Sequence, residues 1–233
     1  MKTIKNLSLV LFCFVGLLFC SQSVVAQDMS AKEYKEMIKE RKKIAKLTRK
    51  QVEANTSKEA KKMAKQMKKE GWKPMPGTPT LETQCNDLFM RRYEQGADFP
   101  RYITGNGQAF GNTAGVAKKV AEQRAKSALA SNISSELVAL VEEGTSNVEY
   151  SATDQETISK FVDSNMTKLQ QSLGRTEVVL QAYREAKGES ANSIEVVVYV
   201  SYDGSRARQD LLKMFEEDHK DMYPDLKKML NVK

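Results

Sequence analysis

The chain has 233 residues, 40% of them hydrophobic and 29% charged, which is material for one substantial core. With three cysteines and a single histidine, His219, neither a disulfide framework, a zinc site nor a Ser-His-Asp triad can be assembled from the sequence. The formal net charge of +7 hides an asymmetry: residues 27–73 hold 16 basic and 7 acidic residues, net +9, whereas residues 74–233 are net −4.

Lys2 and Lys5 precede an apolar run from Leu9 to Cys20, and Val24-Val25-Ala26 follows with a small residue at its end. This pattern predicts a secretory signal peptide over residues 1–26, cut between Ala26 and Gln27. The run is shorter than the roughly 20 apolar residues that a spanning helix needs. Cys20 offers an alternative lipidation point, but Phe19 stands where a lipoprotein signal places a small residue, so the expectation is a mature protein without a lipid anchor. Export places the protein in the periplasm, at the outer membrane or outside the cell. Cys13 and Cys20 leave with the signal, and Cys85 lies in the apolar series Leu81, Cys85, Leu88, Phe89, which favours a buried thiol.

Residues 27–73 read as a basic helical arm rich in Lys, Glu, Ala, Met and Gln. Ser30 with Glu33 forms a capping box. Tyr34, Met37, Ile38, Ile44, Ala45, Val52, Met63 and Met67 make only a thin apolar stripe, and Asn55-Thr56-Ser57 reads as a break with a fresh cap. The arm is therefore expected to be weakly committed to packing, and it ends at Gly71.

Residues 74–80 form a Pro/Gly linker. The stretch from Trp72 through Pro74, Pro76 and Pro79 is expected to be irregular, with Trp72 sealing it against the folded body. Residues 81–233 form that body. Its first helix is expected to have Thr78 as cap and Pro79 at the first position, with Leu81, Cys85, Leu88, Phe89 and Tyr93 inward. After a turn at Gly96 to Pro100, residues 101–110 read as a strand in which Gly105, Gly107 and Gly111 mark bulges or close backbone approaches.

Asn112 is the expected cap of a long helix over residues 113–142. Ala114, Ala117, Ala121, Ala125 and Ala128 form its inner stripe, continued by Ile133, Leu137, Leu140 and Val141. Thr153 with Glu156 starts another helix, carried by Ile158, Phe161, Val162, Met166, Leu169 and Leu173 and ended by Gly174. Residues 175–184 and 194–202 read as two strands joined as a hairpin through Lys187 to Ser190, the second alternating Ile194, Val196, Val198, Val200 and Tyr202 with Glu195, Val197, Tyr199 and Ser201. Ser205 caps a helix with Leu211, Leu212 and Phe215 inward, and a short amphipathic tail follows Pro224. The order β, α, α, β, β, α after the first helix predicts an α+β fold: a small, mainly antiparallel sheet with helices packed on one face, two layers in all.

No motif in the body specifies a reaction. Gly105, Gly107 and Gly111 are spaced one residue too long for a dinucleotide loop and are structural. Glu142 and Glu143, and Glu216, Glu217 and Asp218, read as solvated helix surface. Asn55-Thr56-Ser57, Asn132-Ile133-Ser134 and Asn165-Met166-Thr167 match the N-glycosylation triplet by chance, two of them within helices. No catalytic, metal or cofactor residue is assigned.

From Tyr102 to Tyr202 the chain resembles the LPP-type bacterial outer-membrane lipoprotein domain, which is related to the N-terminal domain of the flagellar assembly protein FlgT. The residues that carry the resemblance are Tyr102 to Gly107, the alanine helix Ala117 to Leu129 leading into Asn132-Ile133, and the strand Val196 to Val200. It covers about 100 of 233 residues. It implies an α+β fold, an envelope location and a structural or assembly role, and it brings no catalytic residues. The sequence departs from it at Phe19, and the basic arm lies outside it.

Three functional expectations follow. The first is an exported envelope protein without catalysis, whose body binds a protein partner or itself. The second is a glycan- or small-molecule-processing enzyme using two carboxylates, which requires a deep pocket with converging acids. The third is attachment to an anionic membrane or glycan through the basic arm. Nucleic acid is not an expected partner, because export and the sparse aromatics of the arm (Tyr34, Trp72) argue against it.

Overall fold

The computed structural model describes residues 49–94, 100–142, 160–161, 165–186 and 193–218, together with 220, 224 and 227. The expected signal segment with Cys20, Ala26 and Gln27, the outer part of the expected arm, the expected Gly96 turn, Thr153–Glu156 box and Lys187–Ser190 loop, His219 and most of the tail lie outside the described residues.

Four antiparallel strands form one sheet in the order β1-β3-β4-β2. The elements in chain order are α1 (Arg49–Lys69), β1 (Lys73–Pro74), α2 (Leu81–Tyr93), β2 (Tyr102–Gly111), α3 (Ala114–Glu142), α4 (Met166–Ser172), β3 (Glu177–Glu185), β4 (Ile194–Asp203) and α5 (Gly204–Asp218). The α+β class and the antiparallel sheet are those the sequence pattern predicts.

The layer count differs from the expected two. On one face, α3, α4 and α5 cover Ile103 and Ala109 of β2 and Val196, Val198, Val200 and Tyr202 of β4. On the other, Ala60, Ala64 and Met67 of α1 and Leu81, Cys85, Leu88 and Phe89 of α2 cover Leu180, Ala182 and Val197. Helices thus pack on both faces. The reason is visible in β4: its second set of side chains includes Val197 and Tyr199, which need cover of their own.

The end of the expected arm belongs to this second core. Helix α1 runs without a break through Asn55-Thr56-Ser57, and Thr56 is fully buried in line with Ala60, Ala64 and Met67. Packing of that stripe overrides the modest helix propensity of the three polar residues. Gly71, at φ +88°, terminates the helix in a Schellman arrangement. The Trp72 amide donates to the Met67 carbonyl at 3.0 Å, and the Gly71 amide to that of Lys68 at 3.1 Å. Both Trp72 and Met67 then enter the core, completing the hydrophobic contact that accompanies this motif. Trp72 seals the segment, as its apolar face requires.

The following stretch is not wholly irregular. Lys73 and Pro74 pair with Tyr183 and Ala182 as a two-residue edge strand, a position that tolerates proline because one side of the strand has no ladder partner. The cap of α2 is Thr80 rather than Thr78: its side chain accepts from the Thr83 amide at 3.2 Å. Thr78 instead closes a turn on the Met75 carbonyl.

Strand β2 pairs with β4 in unbroken register from Tyr102↔Asp203 to Gly111↔Ile194, so its glycines mark close approach and not bulges. A Cβ on Gly107 would lie 2.2 Å from the Ala121 carbonyl oxygen, and one on Gly105 would lie 2.4 Å from that of Ala125. Helix α3 sits on these glycines with Ala117, Ala121, Ala125 and Leu129 fully buried, followed by Ile133 and Leu137. The inner row therefore steps by four throughout, and Ala114 and Ala128 fall beside it, half-buried. Thr113, not Asn112, caps the helix, its Oγ1 accepting from the Val116 amide. Asp203, not Ser205, caps α5, its Oδ1 accepting from the Arg206 amide at 3.0 Å. No described helix is long and apolar enough to cross a membrane.

Candidate functional site

The sheet has two exposed margins. At β2 the outer carbonyls of Thr104 and Gln108 are taken by side chains of α3: Asn132 Nδ2 donates to Thr104 at 2.8 Å, and the Arg124 guanidinium to Gln108 at 2.6 Å. These bonds blunt the edge against further strand pairing. Near the far end of β2 the side chains are apolar and open: Phe110 is 48% exposed, and Val116 and Val120 on α3 are also exposed.

At the other margin β1 pairs with Ala182 and Tyr183 of β3, and the Met75 amide just beyond it donates to the Gln181 carbonyl at 3.3 Å. Upstream of these, the strand borders a groove of about 430 Å³ against α2 and the Gly77–Pro79 turn, lined by Thr83, Gln84, Asp87, Met90, Val178 and Gln181 among others. Gln84 organises its floor. The Gln84 side-chain oxygen accepts from the Gln181 amide at 2.8 Å, while its nitrogen donates to the Pro79 carbonyl at 2.6 Å and to Thr78 Oγ1 at 3.2 Å. A buried glutamine thus substitutes for the missing strand neighbour at one position. Val178 is exposed where a shift in register between Val178 and Leu180 turns the strand. The Gln181 side-chain oxygen is buried without a hydrogen-bond partner.

The carboxylates near the groove are engaged. Arg91 binds Glu177 through both guanidinium nitrogens at 2.7 and 2.8 Å, donates to Ser201 Oγ at 2.8 Å, and lies 3.5 Å from Asp87. The hydrogen bond from Arg91 holds the Glu177 carboxyl below its ordinary value. That direction is opposite to the raised value a general acid needs.

A second polar cluster lies on the α1/α2 face of the sheet. Glu195, 3% exposed, accepts from Arg184 Nε at 2.5 Å and from the Gln108 side chain. Arg184 also stacks over the Trp72 ring, 4.3 Å from its centre. All the oxygens of this carboxylate are aimed at protein donors, an arrangement suited to fixing structure.

Cys85 is fully buried, and burial pushes its thiol up to about 12, which suppresses the thiolate that nucleophilic chemistry requires. Gly105, Gly107 and Gly111 face the backbone of α3. Glu216 and Glu217 are exposed on α5. Of the N-glycosylation triplets, Asn132 is bonded to β2, Asn165 is buried and bonded to the Phe161 carbonyl, and Asn55 lies in α1. Among the described residues no group of three or more His, Cys, Asp or Glu is placed to hold a metal ion.

Gln84 and the Glu195–Arg184 pair carry no motif, so chain order alone does not announce them. A signal did exist for the pair: Glu195 is the one acid in the Ile194–Tyr202 strand, and the hairpin sets it opposite Arg184.

No family model matches this chain, and no curated protein or solved structure matches it.

Proposed function

We propose that this is an exported, non-catalytic protein of the cell envelope whose α+β body binds an extended segment of a partner protein in the groove between α2 and β3. The observation that carries this reading is the open groove of about 430 Å³ between α2 and β3, with Val178 exposed on its wall where β1 no longer pairs with the strand. An extended segment laid in that groove is held by side-chain contacts, since the Gln181 amide and carbonyl are already taken by Gln84 Oε1 and the Met75 amide. Val178 and Met90 supply apolar contact, and Thr83 and Asn86 supply polar contact. The N-terminal signal pattern supports export, and the resemblance of residues 102–202 to an envelope domain family supports a structural or assembly role.

The test is site-directed photo-crosslinking in intact cells from position 178, with Glu216 on the far helix as the control site. A discrete covalent adduct from position 178 and none from 216 is expected, with the protein recovered in the envelope fraction. Absence of an adduct from 178, or equal labelling from both positions, would overturn the groove as the binding site.

A further inference from the structure

The basic residues of α1 are sorted by the packing of that helix. Thr56, Ala60, Ala64 and Met67 turn inward and are buried. Lys58, Lys61, Lys62, Lys65, Lys68 and Lys69 are all exposed. At about 100° per residue, these six lysines fill an arc of about 120° centred nearly opposite the buried stripe. From Lys58 to Lys69 the ridge is about 17 Å long.

The acids of the same segment lie to one side. Glu59 and Glu70 fall on a flank of the helix, about 120° and 140° from the centre of the lysine arc. Glu70 is turned toward the sheet, where it accepts from Trp72 Nε1 at 3.3 Å and lies 3.8 Å from an Arg184 nitrogen. The crest is therefore uniformly positive, while residues 74–233 are net −4.

We infer that this ridge docks the protein onto the surface of a bilayer containing anionic phospholipid. A planar array of headgroups meets the crest alone, so every lysine approaches a negative charge and the acidic flank stays away. A nucleic-acid groove would bring phosphates to both flanks, including Glu59 and Glu70. No exposed aromatic stands on the crest to stack on single-stranded bases, since Trp72 is buried. The helix cannot insert, because its apolar stripe is already used against α2 and the sheet. Attachment is thus electrostatic, through the crest of α1, and residues 74–233, net −4, contribute no attraction of their own.

The experiment is co-sedimentation of the purified chain beginning at Gln27 with phosphatidylcholine vesicles, with and without phosphatidylglycerol, over a salt series. Binding is expected only to the anionic vesicles and is expected to weaken as salt rises. Combined replacement of Lys58, Lys61, Lys65 and Lys68 by Gln should reduce the partition coefficient by at least about tenfold at low salt. The unfolding midpoint of this variant should match the wild type, because all four side chains are exposed. A control with Lys32, Lys35, Lys39 and Lys42 replaced by Gln carries the same charge change outside the ridge and should lose less binding. Equal binding to neutral vesicles, retention of binding by the ridge variant, or a greater loss in the control would overturn the inference. So would displacement from vesicles by equimolar duplex DNA or a soluble anionic glycan, which would make one of those the preferred polyanion. The assay contains no other protein, so its result is independent of partner capture at position 178.

Discussion

The guanidinium of Arg184 lies 4.3 Å from the centre of the Trp72 ring, and this stack fastens the end of α1 to the middle of the sheet. The same guanidinium donates to buried Glu195 at 2.5 Å and to the Glu70 carbonyl at 3.4 Å. One side chain thus joins the helix terminus, the Schellman turn and two strands.

Replacing Arg184 by Ala strands the Glu195 carboxylate in a site with little access to water. Unfolding in urea should show a loss of about 3 kcal/mol or more, the cost of breaking a buried pair from one side. Adding Glu195→Gln should recover part of it, because the uncompensated charge is then gone and the Gln108 contact can persist. A loss below about 0.5 kcal/mol for Arg184→Ala would place the pair among surface ion pairs of little consequence.

The glycines of β2 and α3 give opposite expectations for the same substitution. Gly107→Ala puts a methyl 2.2 Å from the Ala121 carbonyl oxygen and 2.4 Å from the Ala125 nitrogen, both backbone atoms of α3. The helix must lift off the strand, so thermal unfolding should record destabilisation of about 3 kcal/mol or more. At Gly115, in the first turn of α3, the closest atom to a new methyl is Thr113 Oγ1 at 4.0 Å. Gly115→Ala should therefore stabilise by about 0.5–1 kcal/mol through helix propensity and unfolded-state entropy. Equal effects at the two positions would contradict the close packing of α3 on β2.

These glycines were legible in the sequence because glycine facing an alanine row has few other uses. Strands β2, β3 and β4, the α3 helix and the inward Leu211, Leu212 and Phe215 were legible from their periods, whereas the two-residue β1, with a proline in it, has no period to read. The second helical layer was not. A stripe of Thr56, Ala60, Ala64 and Met67 has so little apolar bulk that it resembles a solvated helix until Trp72 and Leu180 are placed against it. Caps slipped by one or two residues at Thr80, Thr113 and Asp203, because neighbouring Thr, Asn, Asp and Ser side chains offer similar oxygens and only backbone direction decides which is used. The groove was invisible for a different reason: Gln84 and Gln181 are 97 residues apart and belong to no local pattern.

Cys85 offers a check on the second core. Its thiol is pushed up to about 12 by burial and is fully enclosed by residues of α1, α2 and the sheet. A thiol reagent added to the native protein near pH 8 should therefore react only as fast as the core opens. Denaturant should convert the reaction to a fast one. Rapid labelling of the native protein would mean that α1 leaves the sheet readily, and that the packed end of the arm is a minor state.

Alkaline stability tests the first core. Tyr202 is buried, its hydroxyl donates to Asp210 Oδ2 at 2.7 Å, and it accepts from the Gly174 amide at 3.3 Å. Burial and the bond to Asp210 push this phenol above its ordinary value of 10. Burial pushes Tyr199 up as well. A raised phenol favours the protonated form in the folded state, so its contribution is fully present below pH 10 and is lost as pH climbs through the folded value. Tyr202→Phe keeps the ring in the core but removes the titrating oxygen, the anchor for Asp210 and the acceptor for Gly174. It should cost about 1 kcal/mol at neutral pH, and its unfolding midpoint should then fall less steeply than the wild type above pH 10. Parallel alkaline limbs for the two proteins would show that the Tyr202–Asp210 bond does not govern the titration of this phenol.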